Sequence, residues 1–183
     1  MSSERSDEIT PKLSSILTQV NDWLKFAEAK NVGIVGLDSG AIAVLMTYIT
    51  GEHQYPVLAG TLLIVGGVAL IGSLLIGLSS FFPQTNLEDL LGGRLAKPSG
   101  ADNLHFYGHL AKYMPNDLAA AVARRYAGAE PVGFNELQVD LAEQVVTNAR
   151  ITLHKLRLFA VAVALFGLGV LASAAGVLIT SVT

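Results

Sequence analysis

The sequence predicts an all-α membrane protein: three transmembrane helices with a cytosolic helical bundle formed by the N-terminal helix and the region between spans 2 and 3. Three observations carry this expectation. Residues 158–182 and 57–82 run for 25 and 26 positions without a charged side chain, and residues 31–50 contain only Asp38. About 20 such residues suffice to cross a bilayer as a helix. Hydrophobic residues make up 51% of the chain, with 18 glycines among its 183 residues, a composition that points away from a soluble domain. Finally, all 12 lysines and arginines fall in residues 1–30 and 83–157, and none lies in 51–56 or beyond the last apolar run. The positive-inside rule then puts the N-terminus and central region in the cytoplasm and the C-terminus outside, as three crossings require.

The implied organisation is a cytosolic amphipathic helix (1–30), a first span (31–50), an external loop (51–56), a second span (57–82), a cytosolic helical region (83–157) and a third span (158–182). The polar start, MSSERSDEITPKLSS, has no signal-peptide apolar core, so insertion is expected to use an internal span. Thr10-Pro11 fits a helix start, with an N-cap hydroxyl before proline at the first helical position. Leu13, Ile16, Leu17, Val20, Trp23, Leu24 and Ala27 then recur at helical spacing and form one apolar face. Trp23 suits either the headgroup level or packing against another cytosolic helix.

Asp38 lies about 10 Å along the helix from Asn31. An aspartate at the centre of a span costs about 2.5–3.5 kcal/mol on insertion scales, so it should face protein or water. It is either functional, or shallow enough to stay hydrated or to be satisfied by Ser39 or a neighbouring helix. In the second span Ala69, Ser73 and Gly77 are four apart, and the third span pairs Gly169 with Ser173 and Ala172 with Gly176. Such small-residue series let helix backbones approach closely.

Between the spans, Asp102 or Asn103 can cap a helix carrying Leu104, Tyr107, Leu110 and Ala111. A second helix starts at Pro115 and stops at Gly128. From Phe134 a long segment continues into the third span, with Leu137, Leu141, Val145 and Thr152 along one side and Gln144 and Asn148 polar at intervening positions. Its continuity makes it the natural mechanical link between cytosol and bilayer.

No catalytic set emerges, and an enzyme is the least supported class. With no cysteine there is no thiol nucleophile or thiolate metal site. His105 and His109 are four apart but lack the further ligands a metal needs, and neither a metal nor a cofactor is expected. The cations Arg94, Arg124 and Arg125, with Tyr107 and Tyr126 as stacking surfaces, suit a small anionic ligand, because guanidinium forks match phosphate oxygens. Arg150, Lys155 and Arg157 stand at the membrane entrance, where they can hold topology or contact lipid phosphates.

Two stretches resemble a known family. AEAKNVGIVGLDSGAI, from Ala27 to Ile42, is similar to the entry into the first span of Pycsar-type transmembrane effectors. DNLHFYGHLAKYMPNDL, followed by DLAEQVVTNARITLHKLRLF and an apolar tail, is similar to that family's second half. The resemblance covers nearly the whole chain from about Leu13, and the order of elements agrees. Matched positions are Glu28, Lys30, Asn103, Phe106, Tyr107, Gln144, Arg150 and Lys155; Asp38 departs from the asparagine or small residue expected. The resemblance implies an antiphage effector of the bacterial inner membrane. It also implies a partner nucleotide cyclase that makes cyclic CMP or cyclic UMP, and impairment of the membrane on binding. A homo-oligomer is expected, with Glu28, Lys30, Asp38, Gln144, Asn148, Arg150 and Lys155 as coupling residues near the membrane entrance. The alternative is a constitutive scaffold or accessory subunit of a membrane complex, with no ligand of its own.

Overall fold

A computed structural model describes residues 2–52, 54–82, 96–128 and 133–182, with side chains from Glu8 onward. All regular structure among them is helical: α1 (Ser2–Ile49), α2 (Val57–Ser79), α3 (Tyr107–Leu110), α4 (Pro115–Val122) and α5 (Glu136–Val182), with a π-helical turn at Ala123–Ala127 directly after α4. Three of them, α1, α2 and α5, are long and apolar enough to cross a membrane. The described residues form two compact units, one from residues 2–27 and 96–154 and the other from residues 28–82 and 155–182.

The first unit has a hydrophobic core. From α1 it takes Ile9, Leu13, Ile16 and Val20, from α3 and α4 Leu110, Leu118 and Val122, and from α5 Ala142, Val145, Val146 and Ala149. Full burial of each leucine, isoleucine or valine contributes roughly 1.5–3 kcal/mol. The expected apolar face of α1 is therefore present. Trp23 packs inside this unit, its ring 5.4 Å from that of Tyr107 and 6.0 Å from that of Phe26.

Three local expectations are corrected here. The first helix does not begin at Thr10-Pro11: α1 starts at Ser2 and carries Pro11 inside it. Thr10 is instead used in packing, its Oγ1 accepting a hydrogen bond from Gln138 Nε2 at 3.3 Å. Second, the helix after Asp102 shrinks to the four residues of α3. Asn103 Oδ1 accepts from the His105 N–H at 2.9 Å, and Asp102 Oδ2 from the Ser99 N–H at 2.8 Å, so both side chains close turns and neither caps α3. Third, Leu137 is exposed and Gln138 is buried. Asn135 and Gln138 cap the start of α5 reciprocally: Asn135 Oδ1 accepts from the Gln138 N–H at 2.9 Å, and Gln138 Oε1 from the Asn135 N–H at 3.2 Å. This capping box turns Gln138, rather than Leu137, toward the core.

The second unit packs helices by close backbone approach. A Cβ added at Gly66 would lie 2.2 Å from Ser173 Oγ and 2.9 Å from the Gly169 carbonyl oxygen, and one at Gly176 would lie 3.0 Å from the Ala59 carbonyl oxygen. The expected series Ala69, Ser73 and Gly77 is buried, and Gly77 faces Val35 and Ile34 of α1. Thus α2 presents small residues to both other spans. Its helix ends at Ser79, three residues short of the expected span, in tight turns through Phe82. The α1–α2 connection is closed by Tyr55, whose hydroxyl donates to the Tyr48 carbonyl at 2.9 Å. Val32, Leu37, Val44, Ile64 and Leu171 point outward, as lipid contact requires.

Substituting Gly66→Val should therefore destabilise the second unit by about 1–3 kcal/mol through overpacking. Gly36→Ala, where an added Cβ meets nothing within 4 Å, should be neutral within about 0.5 kcal/mol. Thermal unfolding in detergent micelles distinguishes the two, and equal effects would contradict the close crossing at Gly66.

Candidate functional site

One polar concavity of the first unit is a cavity of about 410 Å³ lined by Pro98, Ser99, Gly100, Tyr113, Asp117, Ala121, Arg124 and Arg125. This volume falls in the range of small-molecule pockets, about 300–1,000 Å³. Its wall is set by α4. Pro115 occupies the first helical position, where its missing N–H costs nothing. Asp117, Ala121 and Arg124 then follow at i, i+4, i+7 spacing and share one face. The π-turn inserts an extra residue before Gly128 ends the helix in the left-handed region at φ 57°. Such single π-turns recur at functional sites.

That turn separates the roles of two adjacent arginines. Arg125 donates from Nη1 to the Asp102 carbonyl and from Nη2 to the Gly100 carbonyl, so it pins the 99–102 loop that forms the opposite wall. Arg124 is exposed to the cavity and has no ion pair or hydrogen bond among the described residues. It is the cation left to meet an anion.

The loop wall is held by Asp102, which is 4% exposed. Its carboxylate accepts from Lys112 Nζ and the Ser99 N–H, each at 2.8 Å. Burial pushes this carboxyl up, but the Lys112 hydrogen bond, the Ser99 N–H and the charges of Lys112 and His109 outweigh it and hold it below the usual aspartate range. Tyr113 donates its hydroxyl to the Ser99 carbonyl at 3.2 Å. Its own ionisation is pushed up by burial and by the charge of Asp102. A positive fork, a serine hydroxyl, an aspartate and an aromatic edge around one cavity can hold a small polar anion.

Other expected residues go elsewhere. Arg94 lies outside the described residues. Tyr107 packs at a tilt against Phe106, at 4.5 Å, and against Trp23, so its ring is part of the packing. Tyr126 makes an edge contact with His105 at 6.0 Å and does not line the cavity. The two histidines have different partners: His109 Nδ1 accepts from the Asn103 N–H, and His105 Nδ1 lies 2.8 Å from Gln19 Oε1. Arg150 belongs to the first unit and caps the chain after α3, donating to the carbonyls of Ala111 and Tyr113 at 3.1 Å. The reason is local, since α3 ends there with carbonyls that lack helical partners. Asn148 bonds Asn21 across the first unit at 2.8 Å, while Gln144 is exposed.

In the second unit, Glu28 and Lys155 do meet, at 2.8 Å, and Asn31 Nδ2 donates to the Lys155 carbonyl at 3.3 Å. Lys30 stands 5.1 Å over the Phe159 ring. These contacts tie α1 to α5 where both become apolar. Asp38 is fully buried, and Ser73 Oγ lies 2.8 Å from its Oδ2. Ser39 instead donates to the Val35 carbonyl, so the aspartate's hydrogen-bond partner, Ser73, comes from the neighbouring helix and meets one carboxyl oxygen.

The sequence reading missed Ser99, Tyr113 and Asp117 as lining residues. Only Pro115 with Asp117 in the first turn hinted at them, because the loop that completes the wall is fixed by Arg125 and Asp102 over long range.

Fold and site together define a helical membrane protein with three apolar spans and a polar pocket in its remaining helices. A family model described as Pycsar effector protein domain matches residues 12–181, so the chain belongs to the Pycsar transmembrane effector family. That membership supports an antiphage effector role and fits an inner-membrane protein, with a cyclic nucleotide as the family's general signal and a cyclase as its general partner. No curated protein and no solved structure matches the chain.

Removing the anchor of the loop wall has a defined pH signature. Because the folded protein holds Asp102 below its usual range, the stability it contributes is complete above the ordinary aspartate value and is lost as pH falls through the depressed one. Asp102→Asn should cost about 1–3 kcal/mol at pH 7, the worth of its charge-assisted hydrogen bonds. It should also flatten the loss of stability below about pH 4. Melting curves from pH 7 to pH 3 check both, and an unchanged acid limb would remove Asp102 from this role.

Proposed function

We propose that this protein is a non-enzymatic, ligand-triggered membrane effector. A cyclic pyrimidine mononucleotide, cyclic CMP or cyclic UMP, is supplied by a partner cyclase during infection. It binds the polar pocket of the first unit, and the spans reorganise, as a homo-oligomer, to impair the inner membrane. The N-terminus is cytoplasmic and the C-terminus external, in keeping with the confinement of all 12 cations to residues 1–30 and 83–157.

The observation that carries this reading is Arg124, an exposed cation without a protein partner among the described residues, on the wall of a cavity of about 410 Å³. Its fork suits the cyclic phosphate. Asp117 can accept from a sugar hydroxyl or an exocyclic amine, and Tyr113 offers an aromatic edge. Arg125 supports the wall rather than the ligand. The span helices supply the output, since α1 and α5 each combine an amphipathic half with an apolar one.

Isothermal titration of the purified protein with cyclic CMP and cyclic UMP tests the reading. Wild type should bind one of them, and Arg124→Ala should weaken binding about 10- to 150-fold, the equivalent of roughly 1.5–3 kcal/mol for a hydrogen bond to a charged group. A folded wild type that binds neither nucleotide would favour the constitutive scaffold instead.

A further inference from the structure

The contacts of Asp38 present a shortage of protons. Ser73 Oγ lies 2.8 Å from Asp38 Oδ2 and also 2.8 Å from the Ala162 carbonyl oxygen. A serine hydroxyl has one proton to donate. With an ionised Asp38 both neighbours are acceptors only, so one of the two contacts would bring oxygen against oxygen with nothing between them. A proton on Asp38 Oδ2 completes the set: Asp38 donates to Ser73, and Ser73 donates to the Ala162 carbonyl.

The surroundings agree. Asp38 and Ser73 are both fully buried, and Asp38 Oδ1 has no hydrogen-bond partner among the described residues. A lone carboxylate oxygen in such a place is far more costly than the carbonyl oxygen of a neutral acid. No counter-charge faces it among the described residues. Residues 57–79 of α2 and 158–182 of α5 contain no ionisable group. On α1 the ionisable groups to either side are Lys30, placed over Phe159, and Tyr48, near the far end of the helix. Lys155 is paired with Glu28, and Arg157 is exposed.

We propose that Asp38 is a proton-binding site within the spans, and that its proton is part of what holds α1, α2 and α5 together. While the helices are packed, the proton bridges Asp38 to Ser73. If α2 moves off α1 and water enters, the proton passes to water and leaves a carboxylate. That carboxylate can be buried again only after a proton returns from water. Proton occupancy therefore biases the packing of the spans, and raising the pH favours the loosened arrangement. This inference needs no nucleotide and stands apart from the ligand reading.

Infrared spectroscopy of the purified protein in lipid vesicles at pH 7 reads the proton directly. Wild type should show a deuterium-sensitive protonated-carboxyl stretch that is lost in Asp38→Asn and shifted in Ser73→Ala. Labelling the wild type with ¹³C-aspartate should move the same band, which keeps the test decisive should either variant fail to fold. Span stability in detergent should fall with rising pH in wild type and stay flat in Asp38→Asn, whose amide can still donate to Ser73. A wild-type spectrum without a protonated aspartate band at pH 7 would overturn the proposal.

Discussion

Hydrocarbon gives helices no hydrophobic reason to associate, because lipid tails are as apolar as leucine, so spanning helices must be joined by close packing and by satisfied polar groups. The second unit follows that constraint throughout. Gly66, Gly169 and Gly176 bring α2 and α5 to backbone contact, and Ser73 reaches α1 and α5 from one hydroxyl. The first unit obeys the opposite rule and buries Leu13, Ile16, Leu110, Leu118 and Val145 away from water. Both α1 and α5 supply residues to each scheme, so each helix changes its packing chemistry along its length.

That change is the reason the fold was readable from the sequence. Uncharged runs of span length, the apolar face from Leu13 to Ala27 and the small-residue series in α2 are local patterns with a single physical meaning. The short central helices were less legible. Side chains that look like caps, Asp102 and Asn103, are drawn into local turns, and Asp102 is also claimed by Lys112, ten positions away. The start of α5 could have been placed better, since Asn135 and Gln138 have the spacing of a capping box before an apolar run.

The candidate site was legible in its cations and not in its walls. Two consecutive arginines announced an anion-binding possibility, but only the structure divides them, with Arg125 serving the loop and Arg124 the cavity. Tyr107, chosen for stacking, is used in packing, because an aromatic on a short helix beside Trp23 finds apolar company before it finds solvent. Arg150 illustrates the same point for charge. Carbonyls left open after a four-residue helix attract a guanidinium that the sequence alone assigns to the membrane edge.

The Tyr55 hydroxyl that closes the α1–α2 connection bears on how the protein is made. A short connection without lysine or arginine, folded back on the end of α1, lets the first two spans enter the bilayer together as a helical hairpin. Insertion as such a hairpin would bring Asp38 in with Ser73 opposite it, so that its carboxyl would not cross the hydrocarbon alone. The acidic residue would then have its partner before α5 had been translated.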